Sequence, residues 1–316
     1  MARLDRDSLK RVTVHIGEKN YYERQQLRDM FMAQGIKGVV CHANLSAVRD
    51  VLVEMPPDML VLSDDFDPGV FDLIREIRHQ KIGENPFMLI TMLVDPTRRK
   101  ALSLAIKSGV DDIVIKPLTP ERVRERMMLV AFHRPPFIAH GSYLGPERRS
   151  EAHPTDIKRI AVLNTLLEKV NGRDFDKDSL REAIESSLEQ ILQAQLDSQS
   201  SQLGELCKRL VHAYDHREIG ISNDVQQDLL TLSSVLHDAA EVALRLKDSA
   251  LSTLCKSLSD NVAKMAGHYM EPLEQELGLL HKITAAFEMA MGTRPGAAVA
   301  KESEPLDLGM FAEAAT

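Results

Sequence analysis

The sequence predicts an α/β protein whose first part is a doubly wound parallel sheet and whose second part is all-α. Up to about residue 133, five short apolar runs alternate with five amphipathic stretches, the pattern of repeated βα units. The apolar runs are β-branched and hardly alternate with polar residues, as expected for strands covered on both faces. After about residue 155, apolar residues recur every three or four positions, which is the spacing of helices.

Each element of the first part has a local signal. The strands are predicted at 11–16, 37–43, 58–63, 86–91 and 111–116, and the helices at 21–35, 45–55, 70–80, 96–109 and 119–132. The first helix is closed by Gly35, a usual C-terminal stop, and the last begins with Thr119 as its cap and Pro120 in its first turn. In such a sheet the functional crevice lies at the carboxyl ends of the strands.

The rest of the chain divides into three predicted segments. Residues 134–154 contain prolines and glycines with little periodicity, so we predict a linker there. Residues 155–292 are predicted to form an all-α domain, a helical bundle that begins with a helix at 157–170 and has a kink at Pro272. Its unpaired apolar stripes are compatible with a homodimer. The Ala/Glu/Pro-rich residues 293–316 are predicted to be a disordered tail.

Composition excludes several classes of protein. The chain has 316 residues, a formal net charge of -8 and a pI near 5.8, and residues 155–292 hold 14 Lys/Arg against 22 Asp/Glu. No basic face is therefore expected that could meet nucleic-acid phosphates. The three cysteines (Cys41, Cys207 and Cys255) are far apart, which is typical of reduced thiols and unlike a zinc site. Without a signal peptide or an apolar run of roughly 18 residues, we expect a cytoplasmic protein with no membrane insertion.

The stretch "LVLSDDFDP" (60–68) places acids directly after an apolar run. Crowded carboxylates at a strand end raise one another's pKa unless a positive charge compensates them. Such crowding is typical of a metal or phosphoryl site, although a solvated turn is also possible. Within the stretch, Asp64 is the stronger candidate, and Asp65 is more often a solvated neighbour.

Three motifs, each at the end of a predicted strand, extend this signal. "SDDFDP" puts Asp64 at the end of the third strand with a proline four residues later, "PFMLIT" ends the fourth strand in Thr91, and "VIKP" ends the fifth in Lys116 followed by Pro117. In this order the motifs resemble the receiver domain (CheY-like) of two-component response regulators, over residues 10–133. The resemblance implies a flavodoxin-like fold of five parallel strands and a cis bond before Pro117.

The resemblance also implies roles for these residues. Asp64 would be the phosphoacceptor, Lys116 the countercharge and Thr91 the switch hydroxyl. Mg²⁺ would be held by Glu18, Asp64 and the backbone carbonyl of Phe66. The phosphoryl donor would be a sensor histidine kinase or a histidine phosphotransfer protein, and the helical domain would contact a downstream protein. Apart from self-phosphorylation and its reversal, the resemblance implies no enzyme activity.

The chain also departs from the receiver pattern. Where receivers carry an acidic pair after the first strand, Glu18 is the one acid of "HIGEKN". Ile113 stands where an aromatic switch residue is expected, and the connection after Thr91 is longer than usual. Two functions therefore stay open: a phosphorelay response regulator, or a phosphorylation-independent pseudo-receiver that acts as a scaffold.

Two further stretches invite interpretation. "YLGPERRS" (143–150) predicts either a docking segment that uses Arg148 and Arg149 or a turn with two solvated arginines. His237 precedes Asp238 on a predicted helix, as in a histidine phosphotransfer site, but no ATP-binding domain follows. We therefore favour a structural or solvated histidine there.

Overall fold

The computed structural model describes residues 6–54, 56–148, 157–216 and 223–292, and it divides into two compact units between Gln195 and Leu196. The predicted tail at 293–316 and the end of the predicted linker, from residue 149 on, lie outside the described residues.

The first unit contains the predicted parallel sheet. Its strands are β1 (Thr13–Gly17), β2 (Gly38–His42), β3 (Met59–Ser63), β4 (Leu89–Val94) and β5 (Asp112–Ile115). Its helices up to residue 132 are α1 (Arg6–Leu9), α2 (Tyr21–Ala33), α3 (Leu45–Glu54), α4 (Val70–Arg78), α5 (Arg99–Ser108) and α6 (Pro120–Phe132). All strand pairs are parallel and the order is β2-β1-β3-β4-β5, the flavodoxin-like arrangement. The predicted fold class is confirmed, with α1 as an additional short helix.

Apolar side chains fill both faces of the sheet. On one face, Leu27 and Phe31 of α2 join Val123 and Met127 of α6 in a single cluster. The other face is covered by α3, α4 and α5, whose buried residues pack against the alternate positions of β3 and β4. Strands covered on both sides in this way explain the uninterrupted apolar runs of the sequence.

The prediction that the fourth strand spans 86–91 is wrong. The strand begins at Leu89 because the carbonyls of Pro86, Phe87 and Met88 accept hydrogen bonds from arginine side chains. It continues to Val94 because "MLV" is apolar and pairs with β3, with Ser63 opposite Leu93. The connection to α5 is therefore short, only residues 95–98.

The predicted linker contains ordered structure. Strands β6 (Phe137–His140) and β7 (Tyr143–Pro146) form an antiparallel hairpin, and Phe137 also bridges to Ile160. Of the helix predicted at 157–170, only α7 (Thr165–Val170) is helical, because Asn164 caps it through a bond from Leu167 N. The hairpin shares a core cluster with Phe87 and Ile184, so it belongs to the first unit.

The described part of the second unit is helical, as predicted. Helix α8 (Lys177–Asp215) crosses the boundary between the units and is followed by α9 (Asn223–Arg245), α10 (Ser249–Ala266) and α11 (Glu274–Gly292). The predicted kink at Pro272 is instead a break between two helices. No helix in the described residues is both long and apolar enough to cross a membrane.

Candidate functional site

The carboxyl edge of the sheet collects the acids that the sequence singles out. Glu18 follows β1, Asp64 and Asp65 follow β3, and Lys116 follows β5. The position of Asp64 is fixed by its backbone, since Asp64 N donates to the carbonyl of Leu93 over 2.9 Å. We call the site formed by these residues the acidic crevice.

Glu18 is buried and fully engaged by donors of the chain. Its Oε1 accepts from Asn20 N at 2.8 Å, and its Oε2 accepts from the hydroxyl of Ser63 and from Lys116 Nζ at 2.9 Å. Lys116 also donates to Glu23 at 2.8 Å. Burial opposes the charge on Lys116, but the hydrogen bonds that it donates to Glu23 and Glu18, with the negative charges of both, outweigh burial and raise the pKa of the ammonium. The lysine is thus held by these two glutamates.

Asp64 is the least satisfied carboxylate of the crevice, although Asp65 Oδ1 is also buried without a hydrogen-bond partner among the described residues. Its side chain has 0% exposure, and neither carboxylate oxygen finds a hydrogen-bond partner among the described residues. Its nearest cation is Arg98, whose Nη1 lies 3.6 Å from Asp64 Oδ2. Burial raises the pKa of Asp64, and the positive charge of Arg98 and the backbone amide of Asp95 offset part of that rise.

Asp65 is paired with a cation too. Lys19 Nζ lies 2.8 Å from Asp65 Oδ2. Burial raises the pKa of Asp65, but this bond together with the charges of Lys116, Lys19 and Arg98 outweighs burial, so the pKa is lowered. Glu18 after β1 and the two acids after β3 therefore each lie beside a cation of the chain: Lys116 beside Glu18, Arg98 beside Asp64, and Lys19 beside Asp65. Asp95, which follows β4, accepts instead from Thr97.

Thr91 does not join the crevice. It lies in the middle of β4, opposite Val61 and so three residues, or roughly 10 Å, before the level of Asp64. Because side chains alternate along a strand, Thr91 faces the side opposite to Val94, the β4 residue in register with Asp64. The Thr91 hydroxyl is buried, with no hydrogen-bond partner among the described residues. The expected convergence of Asp64, Thr91 and Lys116 is therefore wrong for Thr91.

The residues proposed to hold Mg²⁺ do not fit that ion in this arrangement. Both oxygens of Glu18 already accept from proton donors, and within the described ranges no three His, Cys, Asp or Glu side chains are grouped to hold a metal ion. The ring of Phe66 is buried against Gly17, where an added Cβ would lie 2.8 Å from a ring carbon.

The peptide bond from Lys116 to Pro117 is cis, as the resemblance implies.

Sequence reasoning missed two cations of the crevice. Arg98 belongs to "PTRRK" after β4, and Lys19 belongs to "GEKN" after β1. Basic residues just after strand ends were a usable signal, because those ends meet at one edge of a parallel sheet.

The stretch "YLGPERRS" docks on its own unit over its described part. Arg148 Nη2 donates to the carbonyl of Val110 at 2.5 Å, and the hydroxyl of Tyr143 donates to the carbonyl of Pro146. Arg149 lies outside the described residues. His237 is exposed on α9, and no observation tests the role considered for it.

Comparisons with known proteins find a likeness among solved structures. No family model matches the chain, and no curated protein matches it. Among solved structures, full-length FixJ from B. japonicum is similar over 87% of this chain and 98% of its own, with 11% sequence identity and a TM-score of 0.33. The fold assignment consequently rests on the order and direction of the five strands themselves.

Proposed function

We propose that this chain is a response-regulator-type signalling protein that acts through protein contacts, and that its receiver-like domain works without phosphoryl transfer. One observation carries the proposal: Glu18, Asp64 and Asp65, the acids that follow β1 and β3, each already lie beside a cation of the chain, Lys116, Arg98 or Lys19. This is the pseudo-receiver function that the departures of the sequence leave open.

Electrostatics supports this choice. A crevice with uncompensated carboxylates attracts Mg²⁺, whereas the three cations here lie beside Glu18, Asp64 and Asp65 and reduce the negative charge that a divalent ion would meet. The ammonium of Lys19 and the guanidinium of Arg98 would have to be displaced before a metal could reach Asp65 or Asp64.

The position of the switch residue supports it as well. Val94, in register with Asp64, has no hydroxyl with which to bind a phosphoryl oxygen, and Thr91 lies roughly 10 Å away along the strand. The carboxylate of Asp64 is also covered, and a phosphoryl donor needs access to the attacking oxygen. The signal would instead pass through contacts with protein partners in the cytoplasm, including those of the acidic helical region rather than of nucleic acid.

Mass spectrometry of the full chain tests the proposal. The protein is incubated with acetyl phosphate, with and without Mg²⁺, beside its Asp64→Asn variant and a receiver known to react with acetyl phosphate. We expect no Asp64-dependent mass increase and no Mg²⁺-dependent change in the thermal unfolding midpoint. A mass increase that is present in the wild type and lost in Asp64→Asn would reject the proposal.

A second candidate function is favoured by one observation, the two unpartnered oxygens of Asp64. Unsatisfied buried polar atoms are frequent at sites that act on a ligand. In this candidate, Asp64 accepts a phosphoryl group from a sensor kinase or a histidine phosphotransfer protein, with Mg²⁺ recruited after Arg98 moves away. Labelling by such a donor that requires Mg²⁺ and Asp64 would establish it.

A further inference from the structure

Helix α5 is attached to the core far more weakly than its neighbour α4. From α5 only two alanines, Ala101 and Ala105, enter the apolar cluster, whereas Leu102, Leu104 and Ile106 are 40–43% exposed. The neighbouring α4 inserts four large side chains at 0% exposure, namely Val70, Leu73, Ile74 and Ile77. Two methyl groups bury little apolar area and interdigitate little, so α5 can shift along the sheet at low cost.

The first end of α5 lies at the acidic crevice. Arg98, the residue before the helix, faces Asp64, and the preceding loop is tied by bonds from Thr97 N and Oγ1 to Asp95 Oδ1 at 2.8 and 2.6 Å. Any change in the pairing of Asp64 therefore acts directly on the first turn of α5.

The carboxyl end of α5 contacts the β6–β7 hairpin. Gly109 ends the helix in the left-handed region, and a Cβ added to Gly145 would lie 2.7 Å from Gly109 Cα. The next residue, Val110, accepts a hydrogen bond from Arg148. Backbone touches backbone at this contact, so no flexible side chain can absorb a displacement.

We propose that α5 couples the acidic crevice to the β6–β7 hairpin, so that the Arg98–Asp64 pair sets the position and stability of the hairpin. The inference rests on the proposed function to the extent that the pair replaces phosphorylation as the controlling contact. The coupling needs no hydroxyl at position 94, because the helix itself joins the two sites.

Hydrogen exchange of the full chain, without Mg²⁺ or phosphoryl donor, tests the coupling. Arg98→Gln removes the pairing charge, and Arg99→Gln is the matched control because Arg99 is exposed in the same turn. We expect Arg98→Gln to speed exchange by about fivefold or more in α5 and at Glu147 N, which donates to Pro136 O, with α4 unchanged. Faster exchange confined to 95–99, or an equal rise in α4, overturns the proposal.

Coupling must also operate in the reverse direction. Arg148→Gln removes the bond to Val110 and leaves the crevice untouched. We expect faster exchange at Arg98 N and Ala101 N, which donate within the first turn of α5 and its preceding loop. An effect restricted to 143–148 contradicts the coupling.

Phosphorylation of Asp64 in the earlier experiment would reject the proposed function alone, so the two failures are distinguishable.

Discussion

At the amino end of the sheet Asp111 is buried between two guanidinium groups, whereas at the carboxyl end Asp64 is buried beside one distant guanidinium. Asp111 accepts from Arg78 and from Ile90 N, both at 2.7 Å, and from Arg134 at 2.8 Å. Neither carboxylate oxygen of Asp64 has a hydrogen bond of ordinary geometry among the described residues, although the backbone amide of Asp95 lies close enough to lower the pKa of Asp64. Two carboxylates of similar burial therefore differ in whether the fold supplies donors for their charge.

The arginines of the amino end are equally well satisfied. Arg78 donates to three carbonyls besides Asp111, those of Gly109, Pro86 and Met88. The ring of Phe137 lies between Arg78 and Arg134, with their central carbons 5.2 and 4.9 Å from its centroid. This network joins the hairpin to the sheet, and it is structural because every strong donor has a partner.

The difference indicates where the molecule is rigid and where it can change. A charge that is removed from water and fully compensated fixes its surroundings, while one that is compensated only in part keeps an alternative pairing available. We therefore treat the amino end as the anchor of the first unit and the acidic crevice as its adjustable end.

The largest effect is expected at the anchor. Arg78→Met leaves Asp111 and three buried carbonyls without their hydrogen-bond donor. The free energy of unfolding of the first unit should therefore fall by about 3–5 kcal/mol. Urea denaturation measures the loss. Arg75→Met is the control, since Arg75 pairs with Asp72 on the surface and should cost about 1 kcal/mol or less. Equal losses in the two variants would contradict the role of the anchor.

The carboxyl end should respond to acid through a buried histidine pair. His42 Nε2 lies 3.2 Å from His15 Nδ1, and burial, together with the charge of His42, lowers the pKa of His15 from 6.5 to about 4. The unfolded chain binds the proton more tightly, so unfolding free energy should fall as pH drops from about 6.5 to 4, by at most about 3 kcal/mol. His15→Gln should flatten this part of the pH–stability curve, whereas His133→Gln at an exposed site should not.

A third effect concerns the cation beside Asp65. Lys19→Asp replaces an ammonium with a carboxylate in the acidic crevice, which should create Mg²⁺ affinity that the wild type lacks. At a Mg²⁺ concentration ten times the Kd, the variant should gain about 1.4 kcal/mol in unfolding free energy. Thermal unfolding with and without Mg²⁺ measures the gain, and Lys19→Gln is the control for loss of the positive charge alone. Equal Mg²⁺ stabilisation of the wild type would contradict the proposal that the cations of the acidic crevice prevent Mg²⁺ from binding.

The sequence predicts much of this fold because the decisive signals are local. Five apolar runs and their intervening amphipathic stretches are sufficient to predict the sheet, and its parallel topology places Asp64 and Lys116 at one edge. The bounds of β4 are not predictable in this way. Apolar residues continue past Thr91 to Val94, and the bonds that exclude residues 86–88 from the start of the strand come from Arg78 and Arg134.

The ion pairs of the acidic crevice are harder to predict from the sequence than the strands are. Arg98 and Asp64 are 34 positions apart, and Lys19 and Asp65 are 46 apart. Their contacts depend on the course of loops and on side-chain conformations, which hydrophobic periodicity does not encode. The hairpin escaped prediction for a related reason, because Phe137 contacts Arg78 and Arg134, which the pattern of its own short strands does not encode.

The smallest expected effect is a difference in stability that compares the carboxylates of Asp64 and Asp111 directly. The pKa of Asp64 is raised in the folded state, so its contribution to stability is present at low pH and is lost as pH rises through the folded pKa. At neutral pH, Asp64→Asn should therefore raise the unfolding free energy by roughly 1 kcal/mol, because a neutral amide costs less to bury than a charge with one distant partner. Asp111→Asn is the matched variant, and it should lower stability because both arginines lose their acceptor charge. Urea denaturation of both variants at neutral pH gives the comparison, and a loss of stability in Asp64→Asn would show that Arg98 compensates this carboxylate fully.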